Sequence, residues 1–280
     1  MNCFHFVFLK TQKKMGLNSK IGWTNHTVNL WVGCSKYNRA CYNCYAEQFA
    51  NRFNIKVWGN NKPRQIVKTA TKTLRKIQRR LTGTNTKELV FVGSLMDIFE
   101  TGKPVVVDGK IQTGLSTYDL RRYFFDDVEL GLYPNLIFLL LTKRPHLIRN
   151  YIPKSWLTNP PQNVWIGASA FDEFSVQTAV DTLKHHWSGK RFLSIEPQLK
   201  KIETMSLAGI DWVVTGCESG ANRRPYSNLW ANEIVNICRE QNVPVFVKQI
   251  RGKKNEVITD VNDFEINLQV QEYPAEFEKN

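Results

Sequence analysis

In the stretch Asn135-Leu-Ile-Phe-Leu-Leu-Leu141-Thr142-Lys143-Arg144, six apolar residues follow one another before the chain turns polar. The run is short for a buried helix. Its lack of alternation is that of a strand covered on both faces, as in a parallel sheet. The same pattern recurs at residues 28–33, 88–93, 163–167, 191–195, 211–215 and 244–247. Amphipathic helical periodicity fills the intervals at 45–53, 66–81, 117–130, 144–151, 173–186 and 228–241. Strands joined by helical crossovers predict an α/β fold. It can be a full or partial β/α (TIM-like) barrel of parallel strands, or an open doubly wound sheet. Polar residues at the ends of the runs favour the barrel: Cys34, Ser94 with Asp97, Thr142 with Lys143, Ser169 with Asp172, Glu196, Glu218, and Lys248 with Gln249. In a barrel these positions converge on one mouth, where active sites form.

The 280 residues are 42% hydrophobic, which suits one large domain, and no apolar run reaches the roughly 18 residues that a membrane span needs. Residues 1–20 read as a disordered or loosely packed leader, with Met15 an alternative start. The apolar run at 5–9 is too short for a secretory signal, so a cytoplasmic protein is expected. The barrel is expected over 21–250, followed by an acidic tail at 251–280 packing upon it. Charge is uneven. The chain holds 38 Lys and Arg against 25 Asp and Glu, yet eleven of the cations and none of the acids lie between Gln48 and Lys87. Within 66–81, Ile66, Ala70, Leu74, Ile77 and Leu81 share one helical face, and Lys68, Lys72, Arg75 and Arg79 share the other. With Arg80, this basic face predicts contact with nucleic acid phosphates, and Trp58 is placed to stack on a base.

Six cysteines in a long chain without a signal peptide do not suggest a disulfide framework. Three of them form Cys34-Ser-Lys-Tyr-Asn-Arg-Ala-Cys41-Tyr-Asn-Cys44 between the first strand and the first helix. Thiolates select zinc, Cu(I) or iron-sulfur centres over hard cations. A zinc site would need a fourth ligand, for which His26 and Cys217 are candidates. A 4Fe-4S cluster on three thiolates would keep one iron open to a ligand.

The motifs Ile21-Gly-Trp-Thr24, Gly33-Cys34, Cys41-Tyr-Asn-Cys44-Tyr-Ala-Glu47, Phe91-Val-Gly-Ser94-Leu-Met-Asp97-Ile-Phe99, Leu141-Thr-Lys-Arg-Pro145, Asn163-Val-Trp-Ile-Gly167, Arg191-Phe-Leu-Ser-Ile-Glu-Pro197, Gly216-Cys-Glu-Ser-Gly220 and Val247-Lys-Gln249 together resemble a family of phage-encoded, radical-SAM-like proteins with a three-cysteine motif. The resemblance spans roughly residues 20 to 250. It implies a barrel of the radical-SAM type, with a 4Fe-4S cluster on Cys34, Cys41 and Cys44. S-adenosyl-L-methionine would chelate the open iron and be split to a deoxyadenosyl radical, with a reductant protein as electron donor. The cysteine loop is three residues longer than the common CxxxCxxC, and Asn43 stands where an aromatic residue is usual.

On this reading Ser94, Asp97, Ser169 and Glu196 offer acceptors to a cationic cofactor, and Lys143 with Arg144 offers its carboxylate a partner. Glu218 and Lys248 then face the substrate as catalytic candidates, or form an ion pair across the mouth. A nucleic acid or nucleotide-like substrate is expected. Two other classes are open: a non-catalytic nucleic-acid-binding module with structural zinc in the cysteine loop, and a cluster-bearing redox sensor.

Overall fold

The computed structural model describes residues 18–277, so residues 1–17 of the expected leader, with Cys3, lie outside the described residues. Eight strands form the main sheet: β1 (His26–Val28), β4 (Glu88–Val92), β7 (Leu136–Thr142), β8 (Val164–Ala170), β9 (Lys190–Ile195), β10 (Trp212–Gly216), β11 (Val245–Arg251) and β12 (Val257–Ile258), in that spatial order. All neighbours are parallel except β12, which runs antiparallel to β11. The sheet curls into a half-barrel, the partial form of the expected architecture. No helix among the described residues is long and apolar enough to cross a membrane.

The two faces of the sheet follow from the pleat, because successive side chains point to opposite sides. Val90, Val92, Phe138, Leu140, Val164 and Ile166 pack outward against the helices α2 (Ala70–Leu81), α3 (Thr117–Glu129), α5 (Glu173–His186) and α6 (Asn228–Glu240). Phe91, Leu139, Trp165, Phe192, Trp212 and Phe246 occupy the other phase and build an aromatic floor inside the curl, closed by Trp23. Two residues further along the same phase come Leu141, Ser194 and Lys248, so each strand passes from an apolar floor to a more polar rim. The C-terminal segment packs on the half-barrel through buried Phe264, Leu268 and Val270, and Tyr273 donates to the carbonyl of Gly22 at 3.0 Å.

Gly167 sits in the inward phase, where an added Cβ would lie 2.5 Å from the fully buried ring of Phe192. Gly167→Ala is therefore expected to cost about 1–3 kcal/mol through overpacking. Urea unfolding measures this, and Phe192→Leu in the same chain should recover part of the loss.

The run 28–33 is not one strand. Asn29 accepts from the Leu95 N–H at 2.7 Å and donates to Ser94 Oγ at 3.0 Å, which pins the chain where it leaves the main sheet. Its continuation, β2 (Trp31–Val32), belongs to a second sheet with β3 (Arg64–Ile66), β5 (Pro104–Val107) and β6 (Lys110–Ser116), in the order β2-β3-β5-β6. The expected helix 66–81 accordingly starts only at Ala70, because Ile66 pairs with Trp31. The hairpin β5–β6 turns at Asp108-Gly109, both at positive φ, as a tight hairpin turn requires. Of residues 144–151, only Ile148–Tyr151 forms an α-helix, α4, after the 3-10 turn Pro145–Leu147.

Candidate functional site at the mouth of the half-barrel

Cys34, Cys41 and Cys44 line one pocket at the C-terminal ends of the strands, together with Ser94, Asp97, Lys143, Ser169, Glu196, Glu218 and Lys248. Cys44 is the residue before helix α1 (Tyr45–Arg52), and Cys34 follows β2. Gly33, at φ +117, lets the chain pass where a Cβ would lie 2.4 Å from the Val57 carbonyl oxygen.

A buried ionic network carries the loop. Arg64 donates to Glu100 from Nε at 2.9 Å and from Nη2 at 2.7 Å, and Glu100 also accepts from Ser35 Oγ. The third arm of Arg64 gathers the carbonyls of Val57, Gly59 and Lys62 at 2.8, 3.1 and 2.8 Å. Arg144 donates to the Ser35 carbonyl at 2.6 Å and to Asp97 at 2.8 Å, and lies 3.7 Å from Cys34 Sγ. Burial opposes its charge, but Asp97, Cys34 and Glu100 outweigh that and hold the guanidinium above its ordinary range.

Asp97 therefore has another role than the one expected of it. Besides Arg144 it accepts from Thr142 Oγ1 at 2.7 Å, the Phe99 N–H at 3.0 Å and the Lys143 N–H at 3.1 Å. With its acceptor positions filled, it holds Arg144 and the end of β7 rather than a cofactor. Lys143 keeps its ammonium in the pocket, 3.4 Å from Ser169 Oγ, and makes no ion pair with a described carboxylate. Ser94 accepts from Asn29 through Oγ and from the Tyr45 hydroxyl, at 2.6 Å, through its carbonyl.

Glu218 and Lys248 do not pair with each other. Lys248 donates to Glu196 at 2.5 Å, and Ser219 and Gln249 approach the same oxygen at 3.2 and 3.5 Å. Glu218 is clasped by the Arg224 guanidinium and accepts from the Arg224 N–H at 2.8 Å. Burial works against its charge, and the Arg224 hydrogen bonds override it, so the carboxyl titrates below its ordinary range.

Burial pushes the Cys34 thiol up to about 12, with Asp97 and Glu100 adding to the rise and Arg144 opposing it. Burial also raises Cys44. Cys41 Sγ accepts from the Tyr37 N–H at 3.5 Å. Among the described residues, no three His, Cys, Asp or Glu side chains stand in metal-ligating geometry. Three thiols line this one pocket, a donor set of the type that soft metals take, and Arg144 beside Cys34 offsets part of the rise that burial imposes on that thiol. The zinc ligands considered above fare differently. His26 lies at the opposite ends of the strands, where Nε2 meets Glu88 at 2.7 Å and Nδ1 accepts from the Asn18 N–H at 3.2 Å. Cys217 is fully buried and does not line the pocket, and its thiol is pushed up to about 11 by burial.

The basic segment is partly countered by acids from elsewhere. Lys68 pairs with Asp108, Arg80 with Glu88, and Arg64 is buried against Glu100. Of the expected phosphate-binding set, Lys68 and Arg80 are half exposed and each pairs with one carboxylate. Lys72, Arg75, Lys76 and Arg79 line one surface groove along α2. Sequence reading passes over Glu100 altogether; no local signal marks a carboxylate whose partners are Ser35 and Arg64.

A family model described as "Protein of unknown function (DUF5131)" matches residues 18–268. No curated protein and no solved structure matches the chain.

Proposed function

We propose that this chain, which belongs to the DUF5131 family of proteins of unknown function, is a radical S-adenosylmethionine enzyme of the kind its motifs resemble, acting on a nucleic acid or nucleotide-like substrate. The observation that carries the reading is the shared pocket, where three thiols of one short loop face the polar ends of β4, β7, β8, β9 and β11. When bound, a reduced 4Fe-4S cluster supplies an electron that splits a carbon-sulfur bond of S-adenosylmethionine. The chain's own residues do the rest. Cys34, Cys41 and Cys44 hold the cluster, and the Arg144–Asp97 pair sets the Cys34 side of the loop. The Lys143 ammonium holds the carboxylate of S-adenosylmethionine, and Ser94, Ser169 and Glu196 accept from its ammonium and hydroxyl groups. The floor of Trp23, Phe91 and Phe192 excludes water from the reacting end. Glu218 and Lys248, each aligned by its own partner, face the substrate. A reductant protein of the cytoplasm supplies the electron.

Anaerobic incubation with dithionite and S-adenosylmethionine tests this reading: methionine and deoxyadenosine are expected in equal amounts, and their absence from cluster-loaded protein would sink it. Lys143→Met is expected to weaken S-adenosylmethionine binding about tenfold or more while iron content stays the same, because it removes one charge-assisted hydrogen bond and no ligand.

The groove on α2 supports a nucleic acid partner. Replacing Lys72, Arg75, Lys76 and Arg79 with Gln should weaken binding to all sequences alike. It should also lower the slope of log affinity against log salt by about 0.7–0.9 for each phosphate that is no longer neutralised. An unchanged slope in a binding titration would mean that the groove holds no phosphates.

A further inference from the structure

Between α1 and β3 the chain turns at residues 57–62, and one guanidinium holds the turn. Arg64 Nη1 takes the carbonyls of Val57, Gly59 and Lys62, and the Gly59 N–H donates to the Cys34 carbonyl at 2.9 Å. Trp58 stands between two anchored neighbours. Its side chain packs against Val32, Ala46, Val57 and Leu95, and it lines the mouth with the three thiols rather than the groove on α2.

Four aromatic side chains line this pocket, and three of them are engaged. Trp23 and Phe91 lie 4.7 Å apart in the floor, and the Tyr45 hydroxyl donates to the Ser94 carbonyl at 2.6 Å. Trp58 pairs with no other ring among the described residues. The same turn gathers positive charge. Lys62 is exposed, and its stem lies beside Gly59, where an added Cβ would be 3.8 Å from Cγ of the lysine. Lys103 Nζ donates to the Asn60 carbonyl at 2.8 Å, and the Lys103 N–H is fixed by Thr117 Oγ1 at 2.9 Å. Neither ammonium pairs with a described carboxylate.

We propose that the turn 57–62 is a nucleotide subsite at the rim of the mouth: the base of one unpaired nucleotide of the substrate strand stacks on Trp58, and the strand's phosphates lie on Lys62 and Lys103. An indole face suits any base, and two ammonium groups on one turn suit a phosphodiester backbone. A base inside a duplex has both faces covered, so only a single-stranded or flipped nucleotide can use the ring. The inference rests on the reading that a nucleic acid meets the chain at this mouth. It sets the base beside the Cys34 loop and requires the strand to be unpaired there.

Short fluorescein-labelled oligothymidylate is the probe, with oligouridylate as the RNA arm, both read by anisotropy on the full chain. At least one should bind saturably. Trp58→Leu should weaken that binding about 10- to 100-fold, the range of one base–aromatic stack, and leave the salt slope unchanged. Trp58→Phe should keep most of the affinity. Lys62→Gln with Lys103→Gln should instead lower the slope by about 0.7 for each lysine. An abasic strand of equal length should bind the parent and Trp58→Leu alike, with circular dichroism confirming the fold of each variant. Equal affinity of Trp58→Leu and the parent for the base-bearing strand overturns the proposal. So does an abasic strand that binds the parent as tightly as the base-bearing one, or a parent that binds neither oligonucleotide. Trp58-dependent binding by a chain that forms no deoxyadenosine would leave the subsite standing and sink the radical reading, so the two failures are told apart.

Discussion

Glu100→Ala is expected to destabilise the chain by about 3–5 kcal/mol, since removing one partner of a buried pair leaves the other charge uncompensated. Arg64 is 0% and Glu100 1% exposed at the side chain, so water cannot take the place of the missing carboxylate. The midpoint of thermal unfolding should fall on the order of 10 °C, at roughly 2–4 °C per kcal/mol for a large domain. The effect should not stop at stability. Glu100 also accepts from Ser35, next to Cys34, so the variant loosens the loop on which the thiols stand. A paired replacement, Arg64→Met with Glu100→Leu, should be less destabilising than Glu100→Ala alone, because it removes both charges. A loss under about 1 kcal/mol for Glu100→Ala would show that solvent reaches the pair.

Cys34→Ala, Cys41→Ala and Cys44→Ala should each abolish the visible chromophore of anaerobically reconstituted protein, whereas Cys217→Ala should retain it. Three thiolates are the fewest that hold a 4Fe-4S cluster with one iron open, so each single loss removes a necessary ligand. Cys217 is buried behind Gln249, which donates to its carbonyl at 2.6 Å, and it lies outside the pocket lining. The absorbance of the four variants, normalised to protein, decides the point. A full chromophore in any of the three loop variants would remove that cysteine from the ligand set.

The parallel strands are legible because burial on both faces forbids polar residues within each run and tolerates them at its ends. Residues 135–141, 191–195 and 211–215 lie within a residue or two of β7, β9 and β10. The same rule misreads 28–33, where Asn29 sits inside an apolar run and marks the point at which the chain changes sheets. The hairpin turn at Asp108-Gly109 carries a readable signal, since that dipeptide suits positive φ, but Lys110–Ser116 lacks the apolar density of a core strand. Candidate side chains for the pocket are readable from their positions at strand ends. Their pairings are not. Arg144 meets Ser35 across 109 residues, and Asn43 meets Glu218 across 175. Which carboxylate each cation takes depends on the curl of the sheet, and no periodicity encodes that. Asp97 shows the difference: its residue type suits an ammonium, and its neighbours leave it no free acceptor.

Whether Cys34, Cys41 and Cys44 hold an iron-sulfur cluster is tested most directly by metal analysis of the chain purified without oxygen. About four irons and four sulfides per chain are expected, with no stoichiometric zinc. One tightly held zinc per chain and no iron would contradict the cluster.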